Sequence, residues 1–166
     1  MRSARRRKTV SARQVDGVLR VSIPATMSVA EEAHWVGEMS RRFSRLTTSA
    51  GIDLQARAAL LARRYDLPVP RSIRFVEGQR ARWGSCTPAH GSIRLSSRLA
   101  GFPSWVLDHV IVHELAHLVE PGHGPAFKAL VGRHPLGERA IGFLLAKGMD
   151  GDDGLGGGCP PDEGGG

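Results

Sequence analysis

Three histidines and a glutamate stand close together in this chain: His113-Glu114-Leu115-Ala116-His117, then His123 six residues on. On a helix, residues four apart lie one turn apart on the same face, so His113 and His117 can grip one metal ion. Glu114 flanks that face, within reach of a water beside the ion, where a carboxylate can act as a general base. A catalytic zinc takes three protein ligands and leaves one position open. The pattern therefore predicts one Zn2+ per chain and metal-assisted hydrolysis. The bland alternative is a pair of core histidines bonded to carbonyls, with Glu114 in a salt bridge.

The third ligand has two candidates. Glu120 shares the face of His113 and His117, but a triad from one helix would crowd the ion. Pro121-Gly122 stops the helix and reverses the chain, carrying His123 back toward the first two histidines. Geometry and the precedent of histidine ligands favour His123. Glu120 is then placed to orient a ligand histidine from behind. The spacing from His113 to His123 equals that of metzincins, yet Glu120 stands where those have glycine, and Met149 makes a poor Met-turn.

The elements that must position these groups follow from pattern. Trp105 to Val119 is apolar nearly all round, as a buried helix would be. Gly124-Pro125 opens the next helix, with Phe127, Leu130 and Val131 on its apolar face. Residues 135 to 147 read as a last helix. Upstream, Asp16-Gly17 marks a hairpin within Arg13–Ile23, ended by Pro24. Ser28 with Glu31 forms a capping box for a helix to about Leu46. Asp53 caps a second helix to about Tyr65, ended by Pro68 and Pro70. Ser72–Glu77, Ala81–Thr87 and Ser92–Leu95 read as strands, with a turn at Pro88-Ala89-His90-Gly91. A small antiparallel sheet thus precedes the metal helix, and its edge can take an extended peptide as an added strand.

Further polar residues are weaker candidates. His109, one turn before His113, is placed either to orient a ligand histidine from behind or to sit in the core. His34, His90 and His134 read as surface residues. An oxyanion donor is to be sought among Tyr65, His134, Arg82 and Arg94. Cys86 is a small buried residue rather than a fourth ligand.

A chain of 166 residues with a net charge of +7 reads as one domain, over residues 10–147. Residues 1–9 hold a basic arm (Arg2, Arg5, Arg6, Arg7, Lys8), and 148–166 a Gly/Pro/acidic tail; both are expected to be disordered. The basic arm gives nucleic acid an electrostatic footprint, though without interleaved aromatics. No apolar run has membrane length, and no signal peptide follows the charged start. With Cys86 and Cys159 as the only cysteines, a structural disulfide is not expected, and the reading is cytoplasmic.

Several blocks together closely resemble the YgjP-like family of zinc metallopeptidases. They are Arg82-Trp83-Gly84-Ser85-Cys86, Gly91-Ser92-Ile93-Arg94-Leu95, Val110-Ile111-Val112-His113-Glu114-Leu115-Ala116-His117-Leu118, and Gly122-His123 with Phe127. The Gly122-His123-Gly124-Pro125-x-Phe127 block is also similar to the SprT-like proteases. The resemblance covers about Arg71 to Lys147. It implies a zincin-like α+β fold, zinc on His113, His117 and His123, and Glu114 as the catalytic group. Trp83, within the first block, joins Arg82 and Arg94 as a candidate to touch substrate or to orient the metal-binding and catalytic side chains. In longer relatives a β-rich region precedes the core; here it is reduced to the Arg13–Ile23 hairpin.

Three functions are compatible with these residues. The first is a peptidase acting on peptide or protein. The second is a nucleotide pyrophosphohydrolase, an activity also attached to the family's name, in which Arg82 and Arg94 would meet phosphates. The third is a non-enzymatic zinc domain that binds nucleic acid through its arm.

Overall fold

The computed structural model describes residues 2–3, 9–15, 18–79 and 81–148. Asp16-Gly17, most of the basic arm, Met149, Cys159 and the tail lie outside the described residues. The chain divides into two compact units, Met1–Thr48 and Ser49–Gly166.

The first unit holds a three-stranded sheet in the order β1-β3-β2. β2 (Ser11–Val15) runs antiparallel to β3 (Val18–Pro24), with Val15 opposite Val18, the hairpin expected from sequence. β1 is the pair Arg2–Ser3, lying parallel to Ile23 and Pro24. The capping box forms as read. Ser28 N–H donates to Glu31 Oε2 at 2.9 Å, and Glu31 N–H donates to Ser28 Oγ at 3.2 Å. Two first-turn donors are thereby satisfied, and α1 (Val29–Ala50) follows.

The second unit carries the chemistry. α2 (Leu54–Tyr65) begins where Asp53 accepts a hydrogen bond from Ala56 N–H at 2.9 Å. It buries Leu54, Ala58, Leu61, Ala62 and Tyr65 on one face. Its end is not set by Pro68 or Pro70. The stop is Asp66, which turns left-handed at φ 54° and donates its N–H to Ala62 O. Aspartate tolerates that conformation better than most residues, and it closes the helix two residues before the first proline.

The sheet differs from the one expected. β4 (Ser72–Val76) and β6 (Ser92–Ser96) are parallel, whereas β5 (Gly84–Thr87) and β6 are antiparallel. The sheet is therefore mixed, in the order β4-β6-β5. The tight turn at residues 88–91 fixes the β5–β6 pairing. β4 and β5 lie on opposite sides of β6, so the chain crosses over between them. Gly78 turns within that connection at φ 88°, but a single glycine does not give the direction of the crossover. β5 is also shorter than expected, starting at Gly84 rather than Ala81.

Ile73, Cys86, Ile93 and Leu95 point from the sheet into the core. There they meet α3 (Ser104–Ala116), whose Val106, Leu107, Val110, Ile111, Val112 and Leu115 are all buried. A helix apolar on every side can be stable only when covered on every side, and this one is covered by the sheet, α2, α4 (Pro125–Val131) and α5 (Gly137–Gly148). Arg57 on α2 ties to Asp108 on α3 through Nε–Oδ1 at 2.5 Å and Nη2–Oδ2 at 3.0 Å. The α+β class is as expected. No described helix is long and apolar enough to cross a membrane.

Candidate metal centre

α3 ends as the site begins. Its last full residue is Ala116, three short of the expected Val119. His117 is the cap and still donates its N–H to His113 O at 3.3 Å, so the two histidines keep helical spacing. The chain then tightens, with Leu118 N–H on Leu115 O and Val119 N–H on Ala116 O. Pro121 and Gly122 reverse it, and Gly124 caps α4.

The reversal brings His123 onto the other two. His113 Nε2 and His123 Nε2 stand 3.4 Å apart. The His117 and His123 rings lie 4.7 Å apart, and those of His113 and His117 lie 4.9 Å apart. One nitrogen from each falls within 4.8 Å of the others. Two nitrogens bound tetrahedrally to one zinc would stand about 3.3 Å apart, so the His113–His123 pair already has that spacing. The residues fit a single metal ion. Among the described residues, this is the one group of three such side chains close enough to hold an ion.

The electrostatics suit ligation. Burial pushes the His113 ring down to about 3, aided by the neighbouring His117, His123 and His109. Burial also lowers His117, opposed by its hydrogen bond to the Glu120 carbonyl. Neutral imidazoles offer the lone pairs that a metal needs. Glu120 serves His117 through its main chain: Glu120 O lies 3.1 Å from His117 Nδ1. That bond places the ring proton on Nδ1 and leaves Nε2 free for the ion.

Glu114 is buried against β5, and burial raises its carboxyl to about 8, opposed by the charge of Arg82. A methyl group placed on Gly84 would fall 2.8 Å from Glu114 Cδ and 2.9 Å from its Cγ. The glutamate thus occupies the space that any side chain at position 84 would need. Phe127 lies against all three candidate ligands, with ring separations of 4.8 Å to His113, 4.4 Å to His117 and 4.7 Å to His123.

The remaining sequence candidates separate. Arg82 is exposed, and its charge reaches Glu114. Trp83 is buried in the core, between the Arg98 guanidinium at 4.2 Å and the Phe102 ring at 5.3 Å. It is a packing residue. Arg94 alternates with buried Ile93 and Leu95, so it faces away from α3 on the outer side of the sheet. His109 is buried, and burial holds it down to about 4, with the charge of His134 adding to the effect. His134 is not the surface residue expected. It is buried between Tyr65 and His109, at 5.8 Å from each ring, because the turn after α4 folds it inward. Arg133 beside it donates to Tyr65 O at 2.6 Å and so holds that turn against the end of α2.

Two residues escaped the site reading. Gly84 had a signal, since a glycine inside a strand often marks a close approach. Phe127 falls within the Gly122-His123-Gly124-Pro125-x-Phe127 block, but its apolar position alone does not signal contact with the three histidines.

The model of the YgjP-like metallopeptidase domain matches residues 19–135. No curated protein matches the chain. The crystal structure of the metallopeptidase zymogen abylysin of Pyrococcus abyssi is similar at 20% identity and a TM-score of 0.49, over 55% of this chain and 91% of that one. With most of its described residues inside the family match, the chain belongs to the YgjP-like metallopeptidase family.

Proposed function

We propose that the protein is a zinc-dependent peptidase in which Glu114 is the general base. The observation that carries this reading is the convergence of His113, His117 and His123 beside a buried glutamate. A zinc ion held there would supply Lewis acidity at its open position, polarising a carbonyl oxygen and acidifying water. The protein's own groups do the rest. His113 and His117 present neutral rings, and the Glu120 carbonyl holds His117 in the ligating tautomer. Glu114 accepts a proton from the attacking water on a carboxylate oxygen and passes it to the leaving nitrogen. Gly84 keeps that carboxylate close to the strand along which an extended chain could lie. Burial raises the Glu114 carboxyl, and the charge of Arg82 works against that shift, toward the ionised form the base needs.

The alternatives have less support. A nucleotide hydrolase would use Arg82 and Arg94 together, yet Arg94 faces the other side of the sheet. A structural zinc site usually has four protein ligands, and three converge here. The nucleic-acid reading relies on the basic arm, most of which lies outside the described residues.

Glu114→Gln tests the mechanism. It should keep zinc at wild-type stoichiometry and lose about 10²- to 10⁴-fold in peptide hydrolysis. A variant that cleaves at the wild-type rate would remove Glu114 from the chemistry. Glu114-dependent turnover of nucleoside triphosphates, with none of peptides, would transfer the site to the nucleotide reading.

A further inference from the structure

Metal-bound histidines are ordinarily oriented by a hydrogen bond from the second ring nitrogen. Among the described residues, only His117 has one, from Nδ1 to the Glu120 carbonyl. His113 and His123 have a single hydrogen-bonding approach, to each other through Nε2, which is the side that would face the ion. Among the described residues, one further side chain meets all three rings.

The geometry points to Phe127 as a positioning residue. Its ring is 4% exposed and touches every member of the triad. It stacks on His117 with an interplanar angle of 28°, and meets His113 and His123 edge-on at 77° and 68°. One flat side chain thus meets three imidazoles, each in a stacked or edge-to-face arrangement that aromatic rings favour. The contact fixes ring planes, and ring planes decide where the ligand nitrogens aim. An aliphatic side chain could fill the volume without fixing those planes. The placement also explains the chain's path: three residues separate His123 from Phe127, and α4 begins between them at Pro125. His123 and its brace are therefore delivered by the same turn.

This role rests on the metal-centre reading, and metal affinity tests it without any substrate. Zinc affinity of the full chain would be measured by chelator competition for wild type, Phe127→Leu and Leu130→Ala. Leu130 lies on the same short helix and packs partly on the core, so its truncation reports general loosening of α4. Phe127→Leu should raise the zinc dissociation constant about 10- to 100-fold, as losing an outer-shell partner typically does. Leu130→Ala should change it by less than about threefold while still lowering the melting temperature. Equal affinity in Phe127→Leu and wild type, or an equal loss in both variants, would overturn the assignment. Should Phe127→Leu fail to fold, Phe127→Met carries the same test. If neither folds, Phe127 is a core residue and the assignment falls. A wild-type chain that takes up no zinc would instead bring down the metal centre itself, and this role with it.

Discussion

Gly84 and Glu114 occupy one another's space: a methyl group on the glycine would lie 2.8 Å from the glutamate's Cδ. The strand residue has no side chain because the helix residue's carboxylate stands there. The relationship links the Arg82-Trp83-Gly84-Ser85-Cys86 block to the histidine helix, two segments that sequence alone leaves thirty residues apart. It also makes a prediction about activity. Gly84→Ala should displace the Glu114 carboxylate and lower kcat at least about tenfold, with zinc content unchanged. The overpacking should cost about 1–3 kcal/mol. That cost should largely disappear in a Glu114→Ala background, which urea denaturation of the four proteins of the double-mutant cycle would show. Equal costs in both backgrounds would deny the contact.

Metal removal should loosen the protein. Ligands that bind only the folded state stabilise it by about 2.7 kcal/mol at a hundredfold excess over Kd. A strong chelator should therefore lower Tm by several degrees, and restored zinc should recover it. His117→Ala should show the lower Tm at once and no response to chelator. An identical Tm with and without chelator in the wild type would count against a bound ion.

The Arg57–Asp108 pair joins α2 to the metal helix by two hydrogen bonds, with both side chains at most one-third exposed. Asp108→Asn should cost about 1–2 kcal/mol, within the range for charge-assisted bonds lost near a surface. Zinc stoichiometry should stay the same, because the pair holds the helix and not the ligands. Thermal melts beside metal analysis would check both statements.

Acid sensitivity should have a component from His109. Burial depresses its folded value to about 4, below the ordinary 6.5. The unfolded chain then binds a proton more readily than the folded one between those values. His109 thus leaves stability intact above pH 6.5, reduces it as pH falls from 6.5 toward 4, and adds no further loss below. The full drop is about 3 kcal/mol. His109→Gln should flatten the stability curve over that window relative to wild type in urea titrations. A curve parallel to wild type would show that His109 is not held neutral.

What the sequence made legible was local. The Ser28–Glu31 box, the Asp53 cap and the pairing of the two hairpin strands each depend on residues a few positions apart, and each forms as expected. The His113–His117 spacing belongs to the same class, and His123 followed from the Pro121-Gly122 break. The misses are long-range. The parallel run of β4 beside β6 depends on a crossover that no turn motif announces. His134 looked like a surface residue because its burial comes from Tyr65, almost seventy residues earlier, and from His109. Trp83 and Arg94 fell within the family blocks, yet Trp83 is buried in the core just before β5, and strand alternation in β6 turns Arg94 outward. A motif records which residues matter together without recording which of them face the chemistry.

The central claim is one metal ion on three histidines. Elemental analysis by mass spectrometry of the purified, tag-free chain, beside His117→Ala, tests it most directly. The account predicts about one zinc per wild-type chain and almost none in the variant. A wild-type chain without metal after incubation with zinc, or a variant that retains a full equivalent, would contradict it.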